Sequence, residues 1–139
     1  YQEAGRLDEA ITLFERLITD STRIFGDDHP NTLTLRNNLA NCHLQAGRFV
    51  EAIQLYEQAA TGRARVLGDN HPLTLSTRNN LAYTYNAVGR RDESIALYEQ
   101  LLVSSQRVLG ADHPFTMAMC EELEDVRREL KQRDNPSAD

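Results

Sequence analysis

The chain repeats itself every 42 residues, and this period constrains its fold more than any other feature of the sequence. Two series of glycines recur at this interval, and a His-Pro pair and a threonine follow the second series each time. The repeated positions are Gly5, Gly47 and Gly89; Gly26, Gly68 and Gly110; His29, His71 and His113; and Thr32, Thr74 and Thr116. A period of about 20–50 residues indicates a tandem array, in which each unit buries its apolar face only by stacking on its neighbours.

Each unit contains two helical patterns. Leu35, Leu39 and Cys42 follow the spacing of one helical face, Gly47 interrupts it, and a second apolar face runs over residues 49–60. Glycine commonly ends a helix, and proline is well tolerated in a first turn. The sequence therefore predicts an all-α chain of about six helices, at approximately 7–24, 31–46, 49–66, 73–88, 91–108 and 115–132.

The array is predicted to form a single domain over residues 1–133, with atypical ends. The segments are an incomplete first repeat (1–25), two complete repeats (26–67 and 68–109), a C-terminal capping helix (110–133) and a disordered tail (134–139). Residues 1–4 would be the tail of a preceding helix, so the next helix lacks its partner. Its partly uncovered apolar residues would be Leu7, Ala10, Ile11, Phe14 and Leu17.

The last unit departs from the repeat in a way that is typical of a cap. "RNNLA", found at 36–40 and 78–82, becomes Cys120-Glu121-Glu122-Leu123-Glu124, and Lys131 replaces the repeated glycine. One face remains apolar while the others carry charge. We therefore expect a helix that packs on one side and faces solvent on the other.

Composition narrows the class of partner. The 139 residues are 40% hydrophobic and 26% charged, as in a soluble globular protein, and the net charge of −6 disfavours nucleic acid. No apolar run approaches the length of a membrane-spanning helix.

Because the two cysteines, Cys42 and Cys120, lie far apart within helical patterns, we expect two buried thiols and a cytoplasmic protein; a disulfide, metal site or nucleophile is the less favoured reading. The chain opens at Tyr1 without an initiating Met, so we interpret it as part of a longer protein.

The repeated histidines invite a metal-site interpretation, which geometry opposes. Packed helices lie about 8–10 Å apart, whereas two nitrogen ligands of one zinc ion lie within about 4 Å of each other. A turn role before the helix-opening proline is the better reading, with Asp28, Asn70 and Asp112 starting the helices. No phosphate loop, HExxH or GxSxG occurs, so the sequence predicts no enzyme, no metal and no cofactor.

The unit "NNLANCHLQAGRFVEAIQLYEQA" resembles the tetratricopeptide repeat. The family's signature positions are occupied by Leu39, Ala40, His43, Gly47, Ala52, Tyr56 and Ala59, and in the next unit by Leu81, Ala82, Tyr85, Gly89, Ser94, Tyr98 and Leu101. The 42-residue period and the "LGxxHPxTL…NNLA" joint are similar to the longer variety of kinesin light chains and of bacterial repeat proteins. The resemblance, over residues 1 to about 131, implies a right-handed superhelical solenoid of antiparallel helix pairs.

The resemblance also implies a peptide-binding concave groove lined by the first helix of each unit. Asn37 and Asn79 would hold a partner's backbone, because an amide offers both a donor and an acceptor. Asn38 would bond across the joint to the next unit, as would its equivalent Asn80. The residues predicted to line the groove are Thr34, Arg36, Asn37, Asn41, Gln45, Ser76, Arg78, Asn79, Tyr83, Asn86, Glu121, Asp125 and Arg128.

Within that groove, three side chains have more specific predicted roles. Tyr83 would supply a flat apolar surface. Arg36 and Arg78 replace the family's bulky apolar residue; their stems would pack, while their guanidinium groups reach water and favour carboxylates on the partner.

Two alternatives stay open at this stage. Asn37 and Asn79 could instead satisfy hydrogen bonds between helices, and the charges of Glu121, Asp125 and Glu129 could simply be solvated. The leading hypothesis is a protein- or peptide-binding module of a larger scaffold or signalling protein. The alternative is a structural spacer or self-association module, forming a homo-oligomer through the uncovered N-terminal helix. RNA binding fits neither the period nor the charge.

Overall fold

The computed structural model describes residues 2–134 and contains six α-helices and no strand within that range. The helices are α1 (Gln2–Phe25), α2 (Pro30–Gln45), α3 (Phe49–Leu67), α4 (Pro72–Ala87), α5 (Arg91–Val108) and α6 (Pro114–Asp134). The predicted all-α class and the number of helices are confirmed. Of the predicted disordered tail, Asp134 belongs to α6 and residues 135–139 lie outside the described part of the chain.

The start of α1 differs from the prediction. Gly47 and Gly89 adopt φ values of 78° and 85° and end the helices before them, but their equivalent, Gly5, lies inside α1. The expectation that residues 1–4 belong to a separate preceding helix is therefore wrong for residues 2–4. Residues 2–4 are Gln, Glu and Ala, which favour helix, and one interior glycine costs only about 1 kcal/mol relative to alanine.

A histidine caps the start of α2, α4 and α6. The Nδ1 atoms of His29, His71 and His113 each accept a hydrogen bond, at 3.1 Å, from the backbone N–H two residues later. The turn role predicted for these histidines is confirmed. The preceding acidic or amide residues do not supply the cap: Asp28 instead forms an ion pair with Arg65 at 2.6 Å.

The chain divides into two compact units, and the boundary follows Thr77 within α4. In the first unit, α1 packs on α2 and α2 packs on α3; in the second, α5 packs on α6. The first unit's core contains Ile11, Leu33, Leu39, Ala40, Ala52, Ile53, Tyr56, Ala59, Ala60 and Leu75. The second unit's core contains Leu81, Ala82, Tyr85, Tyr98, Leu101, Met119, Leu123 and Val126. The single array over residues 1–133 stays a prediction.

A buried arginine joins three helices of the first unit. Arg63 on α3 is 5% exposed, and its guanidinium donates to the Thr77 hydroxyl at 2.7 Å and to the carbonyl oxygen of Leu73 at 3.3 Å, both on α4. It also donates to the Thr34 hydroxyl of α2, at 3.3 Å. A buried charge needs such partners, so this position fixes how α2, α3 and the start of α4 meet.

Over residues 2–134, none of the helices combines the length and the apolar character that crossing a bilayer would require.

Candidate functional site

The candidate site in the first unit is one face of α2, which we call the amide face: Thr34, Asn37, Asn41 and Gln45. Thr34 and Gln45 are exposed, and the two asparagines are half-buried. The Thr77 hydroxyl donates to Asn37 Oδ1 at 3.3 Å, and the Tyr56 hydroxyl donates to Asn41 Oδ1. Neither NH₂ group donates a hydrogen bond within residues 2–134. Each amide is thus held by its oxygen and keeps its donors.

Asn37 therefore takes part in a hydrogen bond between helices, as one of the two sequence interpretations predicted. Its role in binding a partner stays a prediction. We expected Asn38 to make the bond across to α4, but Asn37 makes it. Successive helical residues are turned about 100° from each other, and the sequence alone did not fix which of the two amides faces α4.

Sequence reasoning missed the residues that hold the amides. Thr77 occupies a repeat position that is Leu35 and Met119 in the other units, and Arg63 occupies one that is Ser21 and Ser105. A polar residue at an otherwise apolar position, matched by a charge at an otherwise small one, was a readable signal. Of the three equivalent joints in the sequence, α1–α2, α3–α4 and α5–α6, only α3–α4 has this pair of an arginine and a threonine.

Arg36 is not available to a partner in the way the sequence predicted. Its guanidinium contacts the Asp27 carboxylate at 2.8 Å and the Asp27 carbonyl oxygen at 3.1 Å, and its side chain is 16% exposed. The expectation that its guanidinium reaches water is wrong, because the turn before α2 supplies a carboxylate to it. Its preference for carboxylates on a partner stays a prediction. Arg78, at the equivalent position of α4, is half-buried and also interacts within the protein.

The remaining predicted residues lie on α4 and α6. Ser76 is exposed on the part of α4 that belongs to the first unit. In the second unit, Tyr83 is exposed on α4, and Asn79 and Asn86 are half-buried. Asn86 Oδ1 is buried without a hydrogen-bond partner among the described residues.

On α6, the three predicted groove residues Glu121, Asp125 and Arg128 are exposed, and Arg128 pairs with Asp125 at 3.2 Å. An exposed pair of this kind contributes little to stability, so these charges are largely satisfied at the surface.

Glu122 lies among the acidic residues of α6, and its carboxyl interacts with three of them. It is half-buried, and burial raises the pKa of its carboxyl, with smaller contributions from Asp125, Glu121 and Glu129. Burial, followed by the charge of Glu122, also raises the pKa of Tyr98. Sequence analysis treated Glu122 only as part of a charged cap; its partial burial depends on α6 packing against α5.

An open apolar groove of about 440 Å³ lies between α1 and α2. Its lining consists of Leu17, Asp20, Ser21, Ile24, Phe25, Asn31, Thr34 and Leu35. The predicted uncovered face of α1 is confirmed at the exposed Leu17 and wrong at the buried Ile11, while Leu7, Ala10 and Phe14 are half-buried. The sequence did not single out Leu13, which is exposed on the same face.

The described residues offer little reactive chemistry. Within residues 2–134, no three His, Cys, Asp or Glu side chains group as a metal site would require. Both cysteines are free thiols, and burial raises the pKa of the half-buried Cys42. The expectation of two buried thiols is wrong for Cys120, which is exposed on a solvated face of α6.

Comparison with known proteins gives a consistent picture. The tetratricopeptide repeat model matches residues 1–64 and, a second time, residues 37–102. No curated protein sequence matches the chain. Among solved structures, a Podosopora anserina putative kinesin light chain with nearly identical TPR-like repeats is similar at 30% identity and a TM-score of 0.84, over 95% of this chain and 63% of that one.

Two further solved structures are similar. A point-substituted form of the same Podosopora anserina protein matches at 29% identity and a TM-score of 0.82, over 97% of this chain and 64% of that one. BtubC (BKLC) from P. vanneervenii matches at 20% identity and a TM-score of 0.70, over 91% of this chain and 59% of that one. This last likeness concerns the fold alone. The chain thus spans 59–64% of the length of these solved chains.

Proposed function

Because this chain belongs to the tetratricopeptide repeat family, we propose that it is a protein-interaction module in which the amide face of α2 binds the main chain of an extended partner segment. The sequence-based identification of the family and the predicted fold class are confirmed. Membership of this family supports a function in protein–protein interaction in general. The solved structures that the chain resembles have a similar helical fold. The proposal includes no catalysis, in keeping with a family of interaction scaffolds.

One observation carries the peptide-binding part: two amides, four residues apart on one helix, are each fixed by their oxygen and retain their donors. Residues at i and i+4 have Cβ atoms about 5–6 Å apart. Alternate residues of an extended chain are about 6.6 Å apart. Two NH₂ groups at this spacing match two carbonyl groups on the same side of an extended peptide.

Orientation of the two amides lowers the cost of binding. An amide free to rotate loses conformational freedom when a ligand orders it, at about 0.5–1.5 kcal/mol for a mobile side chain. Here the Thr77 and Tyr56 hydroxyls already hold the oxygens of Asn37 and Asn41. The donors are thus preorganised, which is the property that a main-chain clamp requires.

The second unit offers a related but different surface. Asn79 occupies the position of Asn37, whereas Tyr83 replaces Asn41. An exposed aromatic ring beside one amide favours contact with an apolar side chain of the partner over a second main-chain bond. The net charge of −6 favours neutral or basic partner segments over acidic ones.

Asparagine-to-aspartate substitutions test this clamp, because aspartate keeps an acceptor oxygen for Thr77 and Tyr56 but removes the donors. Peptides of about ten residues selected from a random library on the wild-type protein are the probe. We expect Asn37→Asp with Asn41→Asp to weaken their binding by about 10- to 100-fold, since each lost hydrogen bond is worth about 1 kcal/mol, with thermal unfolding little changed.

The matched control is Asn38→Asp with Gln54→Glu, which adds the same charge outside the amide face and should leave binding unchanged. Selected peptides that bind the Asn37/Asn41 double variant as they bind the wild-type protein would contradict the clamp. A library that yields no binding peptide would contradict the proposed function as a whole.

A further inference from the structure

We infer that the second unit binds a lysine side chain of the partner segment through Tyr83 of α4, Tyr98 of α5 and Glu122 of α6. We call these three residues, all of which belong to the second unit, the lysine site. The inference rests on the proposed function, because the lysine is part of the segment that the protein binds. It does not use the amide face of α2.

The repeat places the Tyr98 hydroxyl beside Tyr83. Tyr98 is the equivalent of Tyr56, 42 residues on, and in the first unit the Tyr56 hydroxyl donates to the side chain of Asn41. Tyr83 occupies the position of Asn41 in the second unit, and it interacts electrostatically with Tyr98. The buried tyrosine of the second unit therefore meets a second tyrosine where that of the first unit meets an amide oxygen.

The Tyr98 hydroxyl has no partner of its own. Tyr98 is 1% exposed, and its hydroxyl makes no hydrogen bond within residues 2–134. A polar group that leaves water without gaining a hydrogen bond is costly to bury. A partner group that reaches this hydroxyl between the helices would remove that cost.

Glu122 supplies a carboxylate that also lacks a partner. It is half-buried and forms no ion pair among the residues that the structure describes. Its electrostatic neighbours Asp125, Glu121 and Glu129 are all carboxyls. Asp125 is paired with Arg128 at 3.2 Å, so the one arginine on this part of the surface is already in use. Glu122 therefore offers its charge to a cation from outside the protein.

The three side chains converge on one kind of ligand. Packing of α5 on α6 brings the Glu122 carboxyl within electrostatic range of the Tyr98 hydroxyl, beside the exposed ring of Tyr83. A lysine stem packs on an aromatic ring, whose face also attracts the cation, while the ammonium group reaches polar acceptors.

Lysine suits this arrangement better than the other candidate side chains. Its ammonium group has three rotatable donors and can meet acceptors on different helices, whereas the planar fork of arginine favours two parallel bonds to one carboxylate. An apolar side chain would leave Glu122 unpaired, and an acidic one would be repelled by it.

Paired synthetic peptides test the inference. Ten-residue peptides selected on the wild-type protein are made again with each lysine replaced in turn by norleucine, which keeps the stem and removes the ammonium group. We expect one such replacement to weaken binding by about 10-fold or more, the size expected when a charged hydrogen bond is lost. Calorimetric titration of the full chain measures each affinity.

Variants of the protein show where the lysine binds. Glu122→Gln keeps the size of the side chain and removes its charge, so it should abolish the difference between the lysine and norleucine peptides while thermal unfolding shows an intact fold. Glu124→Gln, the matched control, removes the same charge from an exposed position of α6 and should leave the difference intact. Tyr98→Phe removes only the hydroxyl and should reduce the difference to an intermediate value.

Two kinds of result would overturn the inference. Selected peptides that contain no lysine, or that bind equally well with norleucine, would show that no lysine is recognised. A lysine dependence that Glu122→Gln leaves unchanged, or that Glu124→Gln removes to the same extent, would show that the lysine does not bind at Glu122.

These results are distinguishable from a failure of the proposed clamp. Peptides that ignore Glu122→Gln but lose affinity for the Asn37/Asn41 double variant would support the clamp and contradict the lysine site. Peptides with the reverse behaviour would support the lysine site and contradict the clamp.

Discussion

Among residues 2–134, the first and last helices each have one face that no other helix covers, but the two faces differ in chemistry. On α1, the exposed residues Leu13 and Leu17 are apolar. On α6, three of the five positions that are buried in α2 have become exposed. Ala40 and His43 of α2 correspond to Glu124 and Arg127, both exposed, and Leu33, at 1% exposure, corresponds to Met117, at 53%.

The contrast teaches that exposure alone does not identify a docking surface in a repeat protein. The residue type at the equivalent buried position does. A charge where the repeat has a buried alanine is adapted to water, because an unpaired charge is costly to bury. A leucine where the repeat has a buried residue is adapted to contact. By this criterion Leu17 of α1 keeps the apolar character of a contact position, whereas Glu124 and Arg127 of α6 have the character of a solvated surface.

The largest expected effect comes from exchanging the residue types that α2 and α6 have at one equivalent repeat position. Ala40→Glu in α2 should destabilise the protein by about 3–5 kcal/mol, because the site has no accessible surface for a carboxylate to reach water. Glu124→Ala in α6 should change stability by less than about 0.5 kcal/mol. Urea denaturation followed by circular dichroism measures both. A loss for Ala40→Glu no greater than for a surface substitution would remove the contrast between the helices.

Glycine-to-alanine substitutions should have opposite signs at equivalent positions. Gly47→Ala should destabilise by roughly 1–2 kcal/mol, because its φ of 78° is unfavourable for a residue with a Cβ. Gly5→Ala should stabilise the chain by about 0.5–1 kcal/mol, because Gly5 is helical there. Equal signs for the two glycines would contradict the assignment of Gly5 to α1.

The N-caps should be equivalent at an internal helix and at the last one. His29→Ala and His113→Ala each remove one acceptor for a backbone N–H and should each cost about 1 kcal/mol. Asparagine at either position should recover most of the loss, since its side chain is also a good cap. Thermal unfolding compares the four variants. If His29→Ala lowered stability and His113→Ala did not, the first turn of α6 would be frayed.

The smallest expected effect is electrostatic and belongs to α6. Because burial raises the folded-state pKa of Glu122 above its unfolded value, ionisation of this carboxyl opposes folding at neutral pH. Glu122→Gln should stabilise the protein by less than about 1 kcal/mol at neutral pH, since water partly screens the side chain. The gain should vanish as pH falls into the ordinary range of a glutamate carboxyl. A gain that is independent of pH would point to packing rather than charge.

The helices could be predicted from the sequence because their signals are local. The 3.6-residue period, the glycine at each turn and the proline at each start all act within a few residues of one another. The predicted bounds differ from the observed ones by at most two residues, except at the start of α1. There, the preference of residues 2–4 for helix outweighed the interruption that Gly5 was expected to cause.

The candidate site was less predictable because it depends on contacts between helices. Sequence reasoning found the paired asparagines, but which of the two faces α4 depends on how Thr77 and Arg63 pack. Arg36 was predicted to reach water because its partner, Asp27, lies nine residues earlier and meets it only once the turn has formed. A helical period specifies a face, and the neighbouring helices then decide what each side chain on that face can do.

The hydrogen-bond chain from Arg63 through Thr77 to Asn37 has a mechanical consequence. A partner pulling on Asn37 would load α4 and α3 at once, because one continuous polar linkage connects the three helices. Where α1 meets α2, a short link between the Ser21 and Thr32 hydroxyls, at 2.6 Å, stands in place of this network. Under tension we therefore expect the α1–α2 contact to separate first, while the hydrogen bond between Thr77 and Asn37 stays intact.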